Sequence, residues 1–187
     1  GTCHHCDSSF QLHTYQRKGS SEKTYLRPDA LNVVDPKQIT SKVFKWFESR
    51  GISQKTLDDL MVTEGTEYMP QTGKSENTIQ FNYIVGDELV NVKYRDGRKN
   101  FKLYKGAEKV FYNINSTVGY DTCIITEGEM DVLALHEAGI KNAISVPNGA
   151  TLNSNNLDYL DNCIDYFEDK EKVILAVDND EPGLALQ

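Results

Sequence analysis

The stretch Cys123-Ile-Ile-Thr-Glu-Gly-Glu-Met-Asp131 decides how this chain is read, because an apolar run there ends abruptly in an acidic, glycine-containing turn and then takes on helical spacing. The same grammar returns 51 residues after Glu127, where Val173-Ile-Leu-Ala-Val177 runs into Asp178-Asn-Asp180-Glu181-Pro182-Gly183. Short apolar runs bounded by turn residues read as strands buried on both faces. In an open parallel sheet ligands bind beyond the carboxyl ends of the strands. Glu127, Asp178 and Asp180 therefore converge on one spot if the two strands are neighbours. Clustered carboxylate oxygens suit hard cations such as Mg²⁺ or Mn²⁺, which keep several waters for substrate phosphates. The residues point to a metal-dependent phosphoryl-transfer site.

Outward from these runs, strand and helix alternate. Strands are expected at 122–126, 142–146 and 172–178, with helices at 129–138, at 154–168 and from Pro182 onward. Such a series implies a parallel sheet. Gly128 lets backbone and ligand approach closely behind Glu127. Glu129 and Asp131 fall in a first helical turn, where the helix dipole alone accounts for acidic residues. Asp178 and Asp180, two residues apart at a strand end, are expected to point the same way. Their mutual repulsion then calls for a cation. The loop Pro147-Asn-Gly-Ala150 is expected at the same sheet edge, lining the site.

The region before this unit reads as α+β. From Thr40 the spacing is helical, with Val43, Phe44 and Phe47 on one stripe, Gly51 as a stop and Ser53 as the cap of a second short helix carrying Leu57, Leu60 and Met61. Trp46 flanks the stripe and reads as core. After Gly73 the period changes to two: Ile79, Phe81, Tyr83 and Val85 face one way, Gly86-Asp87 turns, and Val90, Val92 and Tyr94 return on that face. Asp96-Gly97 is a hairpin turn into a strand with Phe101 and Leu103 inward. Asn91, Lys93 and Arg95 would then share the outward face, joined by Lys102 from the next strand.

Charge sharpens this region. Residues 91–109 hold seven Lys and Arg against Asp96 and Glu108, a local +5 in a chain whose formal charge is −8, so the remainder stands at −13. A basic row on an acidic body can track a phosphate backbone; a solvated outer face shows the same alternation. At 187 residues and 39% hydrophobic, with 10 tyrosines, the chain fits a globular protein of one or two domains. No apolar run approaches the roughly 20 residues a bilayer needs, and no signal peptide is evident. Cys123 and Cys163 fall in a strand and a helix, far from Cys3 and Cys6, so the four cysteines do not form a disulfide framework and a reducing, cytoplasmic setting is expected. Cys3-His-His-Cys6 is one knuckle of a zinc site that needs two. His4, His5 or His13 would have to complete it. The other readings are half of a zinc ribbon, with Lys18–Lys23 as linker, and surface cysteines without metal.

Thr126-Glu-Gly-Glu-Met-Asp131 followed by Asp178-Asn-Asp-Glu-Pro-Gly183 resembles the paired motifs of the TOPRIM domain, shared by bacterial-type primases, topoisomerases and some nucleases. Ser49-Arg-Gly-Ile-Ser53, Val92-Lys-Tyr-Arg-Asp-Gly-Arg-Lys-Asn-Phe101 and the upstream Cys-x-x-Cys resemble the primase half of phage-type primase-helicases and their Twinkle-like relatives. The resemblance implies a division into a zinc-ribbon remnant and linker (1–28), a basic primase subdomain (29–118) and a TOPRIM domain incomplete at its C-terminus (119–187). It implies Glu127 as metal ligand or general base, Asp178 and Asp180 as Mg²⁺ ligands, and Lys93, Arg95, Lys99 and Lys102 as contacts to template or nucleotide. Cys3 and Cys6 would be Zn²⁺ ligands where a complete ribbon exists. The implied reaction is synthesis of RNA primers on single-stranded DNA from ribonucleoside triphosphates, beside an attached or partner helicase. A single-strand-binding module using Tyr94 and Tyr104, and a TOPRIM nuclease, are the alternatives.

Overall fold

A computed structural model describes residues 24–28, 39–149, 157–181 and 183. Cys3, Cys6 and the expected linker at 18–23 lie outside these residues. The helical hairpin forms where its capping residues put it. Helix α1 (Ser41–Glu48) starts at Thr40, whose hydroxyl accepts the Val43 N–H at 3.4 Å, and α2 (Gln54–Asp59) starts at Ser53, whose hydroxyl accepts the Thr56 N–H at 3.3 Å. Gly51 turns between them at φ 73°, a left-handed conformation that glycine adopts without strain. Phe47, Leu57 and Leu60 are buried, as their spacing requires.

Four antiparallel strands follow in the order β1 (Val62–Met69), β2 (Lys74–Val85), β3 (Glu88–Asp96) and β4 (Phe101–Leu103). Strand β1 has no counterpart in the sequence reading, because Gly65 and two glutamates obscure its alternation. Gly65 leaves room for the Gln80 side chain on β2, whose amide nitrogen would lie 2.6 Å from a Cβ there.

Register corrects the expected faces. Ile79 pairs with Arg95, Phe81 with Lys93 and Tyr83 with Asn91, and residues opposite one another share a face. The core face of β2 is therefore the face that carries Asn91, Lys93 and Arg95. Val92 and Tyr94 point to the other side, where they form a satellite cluster with Met69. Lys102 pairs with Tyr94, so it lies on the opposite face from Lys93 and Arg95. The register shifts between Tyr83 and Ile84, so Val90 joins the main core as expected, whereas Val92 and Tyr94 face the side opposite the apolar parity of β2. Two separate apolar clusters make that possible.

The second sheet is parallel, with β5 (Thr122–Thr126) central in the order β6 (Ala143–Ser145), β5, β7 (Lys172–Ala176). Helix α3 (Glu129–Glu137) follows β5, and α4 (Asp158–Asn162) precedes β7. The expected helix at 154–168 is shorter in its described part: α4 gives way at Cys163 to a 3-10 turn over Ile164–Tyr166. The run Asn162-Cys-Ile-Asp-Tyr166 consists of weak helix formers, and the Asn162 side chain donates to the Lys109 carbonyl at 2.8 Å.

One core unites the sheets. It runs from Phe47 and Leu57 through Phe81, Tyr83 and Phe111 to Leu133 and Ile144. Tyr112 is its centre: the ring meets Phe81 and Tyr83 edge-on, the hydroxyl donates to the Leu60 carbonyl at 2.8 Å, and the backbone bridges to Ser145 of β6. The basic sheet is thereby held against the acidic one. Among the described residues, no helix is long and apolar enough to cross a membrane.

Candidate active-site cleft

Glu127 is the first residue beyond the central strand, and β7 is that strand's direct neighbour, with Thr126 opposite Ala176. The Asp178 N–H donates to Glu127 Oε1 at 2.8 Å, so the ends of the two acidic motifs touch. Gly183 closes in behind them. A Cβ there would lie 2.1 Å from the Asp178 carbonyl oxygen and 2.6 Å from Glu127 Oε1, so no side chain fits.

Asp178 and Asp180 do not share a strand face, since β7 ends at Ala176 and both lie in the loop beyond it. The Asp180 carboxylate instead accepts the Gly183 N–H at 2.9 Å, as a residue does at the start of a helical turn. Asp131 is an acidic neighbour of Asp178 and Glu129. It accepts the Gly128 N–H at 3.1 Å. Although Asp131 reaches solvent, partial burial, together with the charges of Asp178 and Glu129, raises its carboxyl above the ordinary value against the pull of that N–H. Among the described residues no three carboxylate, histidine or cysteine groups stand close enough to enclose an ion. The donor set of Glu127 and Asp178, hard oxygens at a solvent-facing sheet edge with a like-charged neighbour, fits a hydrated Mg²⁺ held by few protein ligands.

The acidic edge opens onto a cleft of about 350 Å³ between the two sheets, walled by Lys93, Arg95 and Phe101 on one side and Glu127, Glu129 and Asn148 on the other. Asn148 and Gly149 belong to the loop expected to line the site, and they do so. The residues that meet in this cleft come from β2, β3, β4, the turn after β5, the start of α3 and the loop after β6.

Lys93 is not on a solvated row. It is buried, and its Nζ lies 2.8 and 3.0 Å from the two carboxylate oxygens of Glu129, itself 4% exposed. The Tyr83 hydroxyl donates to the same carboxylate. Burial and the Glu129 charge push the Tyr83 phenol well above its usual value, so it remains a donor. Glu129 is thus more than a helix-start residue. Removing one partner of such a pair leaves a buried charge uncompensated, a loss of roughly 3–5 kcal/mol.

Arg95 is also buried, with its guanidinium 4.6 Å from the Trp46 ring centre and 5.9 Å from that of Phe101. Burial, and then the nearby Arg50 charge, lowers its pKa. Arg50 lies 3.8 Å from the same Trp46 ring. Trp46 thus packs against the core, as its place beside the stripe suggests, and is also a platform for cations, while Phe101, 43% exposed, faces the cleft rather than the interior. Period alone could not find either residue, since the signal is a pairing between elements distant in sequence.

The other proposed contacts separate. Lys102 forms an ion pair with Glu67 at 2.7 Å and lies over the Tyr94 ring, on the far face of the sheet. Tyr94, 6% exposed, and the partly buried Tyr104 belong to the satellite cluster and offer no free stacking surface. Lys99 is exposed in the loop after β3, at φ 64°. That loop is longer than a two-residue turn. The Asp96 carboxylate organises it by accepting the Arg98 and Asn100 N–H groups at 2.8 and 2.9 Å and the Asn100 amide at 2.8 Å.

Residues 121–186 match the family described as Toprim domain, so the parallel unit that carries Glu127, Asp178 and Asp180 is a Toprim domain. The similarity extends upstream through the antiparallel sheet. The chain is 34% identical to the primase homolog protein of Arabidopsis thaliana, over 79% of this chain and 45% of that protein. It is 30% identical to the Twinkle homolog protein, chloroplastic/mitochondrial, of the same plant, over 82% of this chain and 22% of that one. The chain thus spans less than half the length of these relatives. In three dimensions it resembles the primase fragment of the bacteriophage T7 primase-helicase protein, with a TM-score of 0.60 at 26% identity, covering 73% of this chain and 55% of that one. An antiparallel sheet packed on a Toprim domain is the primase-type architecture, and the chain has it.

Proposed function

We propose that this chain is the primer-synthesising part of a primase, joining ribonucleotides on a single-stranded DNA template in a protein that works with an attached or partner helicase. The observation that carries the reading is the meeting of Glu127 and Asp178 on the lip of a cleft whose opposite wall holds Lys93 and Arg95. The two similar plant proteins, named for a primase and for Twinkle, and the T7 primase fragment support it.

Glu127 and Asp178 would hold Mg²⁺, which when bound lowers the pKa of a 3′-hydroxyl and offsets charge developing on the phosphate, whereas Asp180 is engaged by the Gly183 N–H. The chain's own side chains do the rest. Glu127 would take up the proton that leaves that hydroxyl. Lys93 and Arg95 supply positive charge to the nucleotide or template phosphates across the cleft, and Lys99 extends that charge along the exposed loop. Lys102, turned to the far face and paired with Glu67, has no part in the cleft. A module that only binds single strands would need aromatic faces open to bases, and Tyr94 is buried. Cys123 and Cys163 are free and buried, and burial raises their thiols to about 11 and about 12, so both stay protonated at neutral pH.

Primer synthesis on single-stranded DNA by the intact protein tests the reading. Glu127→Gln and Asp178→Asn should each lower synthesis by at least about 100-fold, the scale of a lost acid–base or metal-holding group, while leaving metal-free DNA binding unchanged. Wild-type protein that binds single-stranded DNA but makes no primers with Mg²⁺ or Mn²⁺ would turn the assignment toward a binding module.

A further inference from the structure

Lys93 faces two anions in turn. Its ammonium rests on both oxygens of Glu129, yet it also lies 5.5 Å from the centre of the Phe101 ring, on the wall that a ligand would meet. Glu129 has a second donor, the Tyr83 hydroxyl, from a different strand. A buried carboxylate left without donors is costly. One that keeps a phenol donor can release its lysine.

The geometry points to a parked cation: Glu129 holds Lys93 while the cleft is empty and yields it to a phosphate of an entering nucleoside triphosphate, with Tyr83 retaining Glu129. Glu129 is then a positioning residue that sets how tightly the cleft takes its nucleotide. The inference rests on the reading of the cleft as a nucleotide site. Its physical basis is competition. A triphosphate brings several negative charges to a lysine otherwise held by one, and the protein stays intact after the transfer because Tyr83 and Glu129 remain bonded. The burial of all three groups keeps solvent from screening the exchange.

Substitutions at the two ends of this relay should move affinity in opposite directions. Binding of ATP in Mg²⁺ buffer, measured by calorimetry, should become about 5- to 10-fold tighter in Glu129→Gln, because the charge that competes for Lys93 is gone. It should become about 3- to 10-fold weaker in Tyr83→Phe, because releasing Lys93 would strand the Glu129 carboxylate. A purely structural role would weaken binding in both, and that result overturns the proposal. The double change Lys93→Met with Glu129→Gln removes both charges together and should lose the gain, binding below wild type. Weakened binding in Glu129→Gln with still weaker binding in the double variant would refute parking while leaving Lys93 as a nucleotide contact. Equal binding by the double variant and Glu129→Gln would remove Lys93 from the nucleotide site, and parking with it.

Discussion

The two faces of the antiparallel sheet carry the same kinds of residue and use them in opposite ways. On the face turned to the Toprim domain, Lys93 is buried, bonded to a buried glutamate and set in the wall of a cleft. On the other face Lys102, also salt-bridged to a glutamate, keeps a quarter of its side chain in water and lies over Tyr94. A basic sequence run does not make a basic surface. What separates the two lysines is the register between β2 and β3, which turns one parity of β3 toward the Toprim core and the other toward the satellite cluster around Met69.

The sharpest way to break this comparison is to truncate the two lysines in parallel. Lys93→Ala should destabilise the protein by about 3–5 kcal/mol, since Glu129 would be left buried without its cation. Denaturant unfolding followed by tryptophan fluorescence would measure it, Trp46 being the single tryptophan of the chain. A loss below about 1 kcal/mol, the scale of an exposed pair, would mean that water reaches Glu129 and that the faces are alike.

The contrast also marks what was legible in the sequence. The parallel unit could be read almost residue by residue: β5 and the start of α3 fall where the apolar run and Gly128 place them, and β7 lies beside β5, as the convergence of Glu127 and Asp178 requires. β5 is largely buried, as its composition suggests, whereas β7 lies at the edge of the described sheet with Val173 and Leu175 exposed, so its apolar run marks a strand but not a buried one. The order of the strands is restricted by short connections. The antiparallel sheet could not be read so far. Period two reveals which residues of one strand share a face but not which face of the neighbour lies beside it, and a one-residue change of register inverts every side chain. Alternation alone therefore puts Lys102 on the wrong face and Phe101 in the interior, and it shows neither the cations over Trp46 nor the buried partners of Glu129. Each correction comes from a contact between distant elements: Lys93 with Glu129, Arg95 with Trp46, Lys102 with Glu67. Asp180 is a different case. Its strand-end position suggested a ligand, and a local bond to the Gly183 N–H occupies one of its oxygens.

A smaller effect is expected at the loop that joins the two cleft-wall strands. Asp96 is 2% exposed, although its loop lies close beneath the surface, and its carboxylate holds three donors. Burial pushes this carboxyl up, but the Asn100 amide and the Asn100 and Arg98 N–H groups outweigh it and hold the pKa below the ordinary 3.8. Because the folded value is the lower one, the stabilisation is complete above the ordinary value and is lost as pH falls through the folded value. Asp96→Ala should cost about 1–3 kcal/mol at neutral pH, the range for unmade bonds to a charged acceptor. The difference from wild type should shrink in unfolding curves taken toward pH 3. A difference that stays constant with pH would show that the bonds do not depend on the ionised carboxylate.

The smallest effect belongs to Lys102, and it is the one that decides whether the far face takes any part in function. Its partner Glu67 and its own side chain are 30% and 24% exposed, so water screens the pair and Lys102→Ala should change stability by less than about 1 kcal/mol. Because the far face does not open onto the cleft, the same change should leave both the affinity for single-stranded DNA and its dependence on salt as in wild type. A lysine that does contact a phosphate would reduce the magnitude of the salt slope by about 0.7 when removed. Titrations at several salt concentrations resolve a change of that size. If Lys102→Ala flattens the slope as Lys93→Met with Glu129→Gln does, nucleic acid wraps the edge of the sheet at β4 and touches both faces, and the division drawn from register describes the fold but not the binding surface.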